Sequence, residues 1–360
     1  MGTRVRAPCF DLGRCGKEPG HKGCDLRSIS ICVPLRDEAS HLPGLFAAFD
    51  ALDRDPNDLV RFCLVLDGCT DDSLRLARDY AAHAPREVLI DRAPPSPANA
   101  GRARHRAMML GVRALAGGDG LLLTTDADSR PTPRWLATMA HALDRVDVVA
   151  GRIVRNVTRP NPVQDRVEAY SDALFALRRR LDPVPWEAAT THHFAGGANI
   201  GIRADAYHAV GGFPSIASGE DARLIDDAGR LGLRVSRDAS CIVHTSDRRE
   251  GRAPGGLAAA LHDTDRGDAA SVRVAHPQDA AWQYRMHATA RAAFADERWD
   301  VAADALGLSG DHVRGVARDC PNAEAFAMRI VPTPPGGMRE VALPVAESVL
   351  ADLVDRQLAA

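Results

Sequence analysis

The strongest constraint in this chain is a repeated unit: a short apolar run, carboxylates at or just beyond its end, then apolar residues at helical spacing. Ile29–Val33, Phe62–Leu66 and Leu121–Thr125 are the clearest runs, and they lead to Asp37-Glu38, Asp67 and Asp126-Ala127-Asp128. Buried strands alternating with helices are the pattern of a parallel α/β sheet. Leu42, Leu45, Phe46, Phe49 and Leu52 supply one helical stripe between the first two runs. Thr70 is the expected N-cap of a helix reaching about Ala82, and Val88–Ile90 is a third, shorter strand. Three prolines make Arg92–Ala98 a loop, after which Gly101–Ala116 is a helix.

Leu121–Thr125 is the most apolar run and is placed centrally in the sheet. Pro133 suits the first turn of a helix ending near Leu143, and Val146–Val154 is a fifth strand. Val167, Tyr170, Leu174, Leu177 and Leu181 mark a long amphipathic helix, with Arg178–Arg180 where cations complement the helix dipole. Glycines at 196, 197, 201, 211 and 212 punctuate a mixed region that ends in the strand Cys241–Val243. Gly251–Gly256 reads as a boundary. The expected organisation is a flexible leader (1–27), an α/β domain (28–256) and a helical C-terminal extension (257–360), clearest at Val349–Leu358.

Charge narrows the function classes. Lys plus Arg number 45 against 48 Asp plus Glu, a net charge of -3, without the basic excess that a nucleic-acid partner needs. No apolar stretch approaches the ~20 residues of a membrane-spanning helix. Met1–Phe10 lacks the apolar core of a secretory signal, so the expected location is cytoplasmic, with peripheral contact at the inner membrane face as an option. Cys32, Cys63, Cys69 and Cys241 lie in or beside apolar runs and read as small core residues. Cys9, Cys15, His21 and Cys24 offer four zinc-ligand types, but without the paired C-x-x-C spacing the leader reads as flexible.

Ligands of open α/β sheets bind at the carboxyl ends of the strands, where the three acidic clusters fall. In Asp126-Ala127-Asp128, two carboxylates flank one residue and suit a hard cation that also holds phosphate oxygens. Position after a buried strand favours this over a turn of capping aspartates. Gly219-Glu220-Asp221 precedes a helix; one carboxylate there is a candidate general base, the alternative being simple complementation of the helix dipole.

Taken in order, these pieces resemble the family-2 glycosyltransferases of the GT-A fold. The resemblance rests on Ile29-Ser30-Ile31-Cys32-Val33-Pro34 leading to Asp37-Glu38, and on Val65-Leu66-Asp67-Gly68-Cys69-Thr70-Asp71. It continues through the loop and helix with Arg104, Asp126-Ala127-Asp128, Gly196-Gly197-Ala198-Asn199, Gly211-Gly212-Phe213 and Gly219-Glu220-Asp221, covering about Ser28 to Arg252. It implies a GT-A, Rossmann-like, mixed and mainly parallel sheet flanked by helices, and transfer of a sugar from a nucleotide-sugar donor to an acceptor hydroxyl.

The same resemblance implies roles. Pro34, Arg36 and Glu38 would line the nucleotide site, Asp67 would read the base edge, and Arg104 would bring positive charge to the donor. Asp126 would contact the ribose or metal side, and Asp128 would hold Mn²⁺ or Mg²⁺ on the diphosphate. Asp221, or Glu220 in its place, would deprotonate the acceptor for inverting attack. Gly196 and Gly197 permit close approach to a ligand, and the Asn199 amide suits sugar hydroxyls. His244 stands where some GT-A enzymes complete the metal shell, against a purely structural role. Arg248 and Arg249 could meet a diphosphate or an acidic acceptor, and His192 and His193 the sugar. Leu66 and Asp37 depart from the usual aspartate and asparagine of the family, and a UDP-sugar is the favoured donor. The alternatives are a retaining GT-A transferase acting on a small acidic acceptor, and a non-catalytic nucleotide-sugar-binding protein. The acceptor and the oligomeric state are not specified by the sequence.

Overall fold

In the computed structural model, which describes residues 26–53, 55–116, 118–251 and 256–358, the first half of the domain follows the expected alternation. Strands β1 (Arg27–Leu35), β2 (Asp58–Asp67), β3 (Glu87–Ala93) and β4 (Leu121–Thr124) pair in parallel in the order β3-β2-β1-β4. Helices α1 (Leu42–Asp50), α2 (Ser73–His83) and α3 (Ala100–Ala114) carry the chain between them. Both faces of β1 are covered. Ile29, Ile31, Val33 and Leu35 pack with the α1 stripe and Phe62, while Cys32 packs with Val65, Met108 and Leu122 in a second cluster. The Phe49 and Phe62 rings stack with their centroids 4.2 Å apart.

The second half supplies β5 (Ser129–Pro131), α4 (Trp135–Leu143), β6 (Val148–Asn156), α5 (Pro162–Leu181), β7 (Ile200–Arg203), α6 (Ala204–Val210), α7 (Glu220–Arg230) and β8 (Val235–Ser246). The full order is β3-β2-β1-β4-β7-β6-β8-β5, with β4 in the interior. β7 runs antiparallel to β4 and β6, and β5 antiparallel to β8; the other pairs are parallel. The sheet is therefore mixed and mainly parallel, as expected.

Three local features differ from the sequence reading. Helix α2 starts at Ser73, not after Thr70. The Asp37 carboxylate accepts the backbone N–H groups of Thr70 (2.7 Å) and Asp71 (3.2 Å), keeping Thr70 in the loop. Strand β8 spans twelve residues although only Cys241–Val243 reads as an apolar run, because its buried positions alternate with partly exposed ones along most of its length. β5 and β7, of three and four residues, are too short to show a period.

The extension contains α8 (Leu257–Arg266), β9 (Arg273–Ala275), α9 (Pro277–Ala295), α10 (Trp299–Leu306), α11 (Gly310–Arg318), α12 (Ala323–Ile330), β10 (Glu340–Ala342) and α13 (Leu343–Leu358). Strands β9 and β10 pair with each other, antiparallel, as a separate two-stranded sheet among the described residues. Phe326, Ala290, Ala302 and Val313 form its own cluster. A second cluster joins Tyr170 and Leu177 of α5 to Ala281, Leu343, Ala346 and Leu350, so the extension shares a core with the sheet domain. Arg291 reinforces that junction, bonding Asp182 at 2.5 Å and Glu324 at 2.7 Å. Among the described residues no helix is long and apolar enough to cross a membrane. The leader cysteines and His21 lie outside the described residues.

Candidate active site

A cavity of about 490 Å³ opens at the carboxyl ends of β1, β2 and β4. Pro34, Arg36, Glu38, Asp67, Arg104, Asp126, Asp128, Gly196, Gly197, Glu220 and Asp221 all line it. The structure thus brings together residues spread over nearly two hundred positions, and it leaves out Asn199, His244, His192, His193 and Arg249, which the sequence reading had placed at or near the ligand.

Asn199 is a correction. Its side chain is wholly buried, its Oδ1 accepts the Trp135 indole N–H at 2.7 Å, and its Nδ2 donates to the carbonyls of Arg152 and Cys241, each at 2.8 Å. An amide with its acceptor and both donors engaged in the core has nothing left for a sugar. It ties α4, β6 and β8 together behind the cavity. Gly151 passes so close that an added Cβ would meet Asn199 at 2.4 Å.

His244 also stays out of the cavity, held inside the sheet between β5 and β6. It pairs with Arg130 and Val154 within the sheet, whereas its neighbours Thr245 and Ser246 line the cavity and bond Asp128. Among the described residues, the one cluster of three carboxylate, thiol or imidazole ligand atoms within 4.8 Å of one another is Asp37, Cys69 and Asp71, not Asp126, Asp128 and His244. His192 and His193 are likewise absent from the lining, while Phe194 beside them is part of it. His193 bonds Asp172 at 2.7 Å, and the buried His192 Nδ1 accepts the Phe194 N–H.

Arg104 is the internal cation of the site. It projects from α3, its side chain is 8% exposed, and Nη1 donates to Asp126 Oδ1 and to the Gly197 carbonyl, both at 2.8 Å, and to Thr124 at 3.3 Å. Nε reaches Glu220 Oε1 at 3.2 Å. Burial works against its charge, but Asp126 and Glu220 outweigh burial and hold it above its ordinary value. Gly197 is glycine for a steric reason: an added Cβ would meet the Arg104 guanidinium at 2.4 Å.

Glu220 and Asp221 open helix α7, where carboxylates offset the positive end of the dipole. Gly219 precedes them in the left-handed region (φ 77°), which a side chain would strain. Glu220 turns inward to Arg104; burial pushes its carboxyl up and Arg104 opposes that rise. Asp221 faces the cavity, held by the Gly197 N–H at 2.8 Å and by the Ala222 N–H at 2.7 Å. The two neighbours therefore divide: one carboxylate is consumed by the scaffold, the other is presented to the cavity.

At the ends of β1 and β2, Arg36 joins Asp67 at 3.2 Å and the Ser96 carbonyl at 2.6 Å. Glu38 receives Arg248 Nη1 on both oxygens, at 2.8 and 2.9 Å; burial raises its carboxyl while Arg248 lowers it. Asp128 accepts Ser246 Oγ at 2.7 Å and meets Arg248 Nε at 3.2 Å. Arg248 and Ser246 are the members of the site that sequence reasoning most undervalued. Their signal was polar residues crowding the end of a late strand.

The loop after β8 is pinned on both sides of Arg248. Asp247 accepts Thr158 N–H and Oγ–H at 2.7 Å and the Arg159 N–H at 3.1 Å, while Arg249 reaches Asp265 of α8 at 2.8 Å. Burial by itself would raise the Asp247 carboxyl, but these hydrogen bonds outweigh it and hold it at about 2. With the folded value below the ordinary 3.8, the stability this carboxylate supplies is present above that value and lost as pH falls toward about 2. Asp247→Asn is expected to flatten the acid limb of the stability curve in that window. Urea melts from pH 2 to pH 5 measure it, and an unchanged limb would rule out the assignment.

The sequence signature described as Glycosyl transferase family 2 matches residues 30–209. Curated protein sequences return no match. Among solved structures, S. aureus TarS 1–349 in complex with UDP-GlcNAc is 14% identical, with 85% of this chain and 89% of that chain covered and a TM-score of 0.48. The mannosyltransferase PcManGT from Pyrobaculum calidifontis, in complex with GDP-Man and Mn²⁺, is 16% identical over 84% and 85% of the two chains, with a TM-score of 0.46. Glucosyl-3-phosphoglycerate synthase from Mycobacterium tuberculosis, with Mn²⁺, UDP and phosphoglyceric acid, is 19% identical over 70% and 84%, with a TM-score of 0.42.

Proposed function

Because the chain belongs to glycosyl transferase family 2 and is a glycosyltransferase, we propose that it transfers a sugar from a nucleoside diphosphate donor, favoured as a UDP-sugar, to an acceptor hydroxyl with inversion. The observation that carries the reading is the charge of the cavity. Among the described residues, six carboxylates (Glu38, Asp67, Asp126, Asp128, Glu220, Asp221) line it against three guanidiniums (Arg36, Arg104, Arg248). Such a cavity repels a diphosphate unless a further cation enters with it. The donors around Asp128 are carboxylate and hydroxyl oxygens, the hard set that Mg²⁺ and Mn²⁺ prefer. Asp128, with Asp126, is the residue to hold the ion. When bound, a divalent cation would neutralise charge on the diphosphate.

The protein's own groups do the rest. Asp67 and Arg36 form the floor under the nucleotide, and Gly196-Gly197 lets the donor approach the backbone. Asp221 takes the proton of the acceptor hydroxyl. The hydroxyl oxygen then bonds to the anomeric carbon as the bond to the diphosphate oxygen breaks, and the nucleoside diphosphate leaves with that electron pair. Attack from the face opposite the leaving group inverts the centre. Leu257 and Ala258 of α8 complete the rim, which supports an acceptor-covering role for the extension.

The test is thermal unfolding of the full chain with UDP, GDP, CDP and dTDP, each with and without Mn²⁺. A ligand at ~100 times its dissociation constant adds ~2.7 kcal/mol of stability. UDP is expected to stabilise only with metal, and Asp128→Asn to abolish the effect. No stabilisation by any nucleotide would overturn the reading.

A further inference from the structure

Asp128 is the carboxylate to which the proposed function gives a divalent cation, and in the fold it is already in contact with one positive charge. Arg248 Nε stands 3.2 Å from Asp128 Oδ2, and Nη1 of the same guanidinium holds both oxygens of Glu38. Thr245 and Ser246 hydroxyls occupy the rest of the Asp128 surround at 3.4 and 2.7 Å. The contacts span the cavity, since Glu38 follows β1 and Arg248 follows β8, 210 positions away.

Two cations cannot share one carboxylate face without repulsion, which the low exposure of the Asp128 side chain, 10%, leaves only partly screened. The Arg248 backbone is not free to retreat: Asp247 is bonded to Thr158 and Arg159, and Arg249 to Asp265. The side chain is free in a different sense. It is a long, rotatable stem in a cavity wall, 27% exposed, with the cavity interior in front of it.

We propose that Arg248 is a built-in competitor for the metal position, which occupies Asp128 until metal and nucleotide arrive and then transfers its guanidinium from Asp128 to the donor diphosphate. The inference rests on the metal-dependent donor site proposed above. Arg248 is a positioning residue in the empty enzyme and a diphosphate ligand in the loaded one. The guanidinium fork suits both partners, since it pairs with carboxylates and phosphates in the same planar geometry. The consequence is coupling. Metal alone must displace Arg248 from Asp128, whereas metal arriving with a diphosphate finds that arginine a new partner, so each ligand strengthens the other, and by linkage the effect is reciprocal. The device offsets the charge of Asp128 and Glu38 before the ligands arrive and reserves tight metal binding for the donor-loaded state.

The experiment is a Mn²⁺ titration of the full chain followed by electron paramagnetic resonance, with no nucleotide and no turnover, on wild type, Arg248→Gln, Arg248→Lys and Arg36→Gln. Arg248→Gln is expected to bind Mn²⁺ alone more tightly by about 5- to 150-fold, the span of typical coupling between ligands. Arg36→Gln removes an equal charge from the same cavity but one bonded to Asp67, so it measures the general electrostatic effect and is expected to change affinity less. Arg248→Lys keeps the charge but cannot grip Glu38 and Asp128 together, and is expected to fall between wild type and Arg248→Gln; it carries the test if the glutamine variant does not fold. Repeating the titration with UDP is expected to tighten Mn²⁺ binding strongly in wild type and weakly in Arg248→Gln. Unchanged or weaker Mn²⁺ binding in Arg248→Gln, or equal gains in Arg248→Gln and Arg36→Gln, overturns the inference. Those results leave the proposed function standing, because that reading fails separately, on the absence of nucleotide stabilisation in the wild-type protein.

Discussion

Asp221→Asn is expected to lower kcat by about 10²- to 10⁴-fold, the usual contribution of a positioned general base, while nucleotide affinity stays within a few fold. The substitution is well suited to the geometry. The asparagine carbonyl can still accept the Gly197 N–H that Asp221 Oδ2 accepts at 2.8 Å, so the glycine pair keeps its contact, while the Ala222 N–H that Oδ1 accepts at 2.7 Å loses its partner. What disappears is the anionic oxygen facing the cavity. Steady-state transfer with the donor that stabilises the wild type, combined with nucleotide titration, separates the two effects. A kcat within tenfold of wild type would remove Asp221 from the base role. A matching loss from Glu220→Gln would not restore the claim for Glu220, because that carboxylate is bonded to Arg104.

Arg104→Met is expected to destabilise the fold by about 3–5 kcal/mol, the cost of breaking a buried ion pair by removing one partner. Methionine replaces the stem and leaves Glu220, 3% exposed, without its cation. It also leaves Asp126 and the Gly197 carbonyl without the donors that hold them at 2.8 Å. Urea denaturation measures the loss. Adding Glu220→Gln is expected to recover part of it, because the neutral amide no longer buries an unpaired charge, and the non-additivity reports the coupling directly. If the single variant costs under about 1 kcal/mol, as an exposed pair would, the keystone role of Arg104 is wrong. Because the same guanidinium joins α3, the Asp126 loop and α7, activity in Arg104→Met should fall further than global stability explains.

Much of the frame was legible from residue order. Ile29–Val33, Phe62–Leu66 and Leu121–Thr124 are strands, β4 is internal, and the carboxylates after them meet at one edge of the sheet. Amphipathic periods also located α1 and α5. Short β5 and β7 escaped notice because three or four residues carry no period, and β7 includes a glycine. The antiparallel insertion of β7 between β4 and β6 was likewise hidden, since strand order depends on pairing between distant segments.

The site shows the same division residue by residue. Asn199 sits in a glycine-rich stretch that approaches the cavity, yet its amide is spent on Trp135, Arg152 and Cys241. His244 lies near the expected strand end, yet it is paired between β5 and β6, and the last two residues of β8, Thr245 and Ser246, line the cavity instead. Glu220 and Asp221 are adjacent and chemically alike, but one bonds the buried Arg104 and the other faces the cavity.

By itself the sequence determined which segments are buried strands and that acidic residues stand at their carboxyl ends. Both are local facts, written in the spacing of apolar residues and in the polar residue that ends each run. Only the tertiary structure decided which of those acids is neutralised, and by what. Arg104 and Arg248 reach carboxylates 116 and 210 positions away, and a charge pair depends on distance in space, which no local pattern encodes.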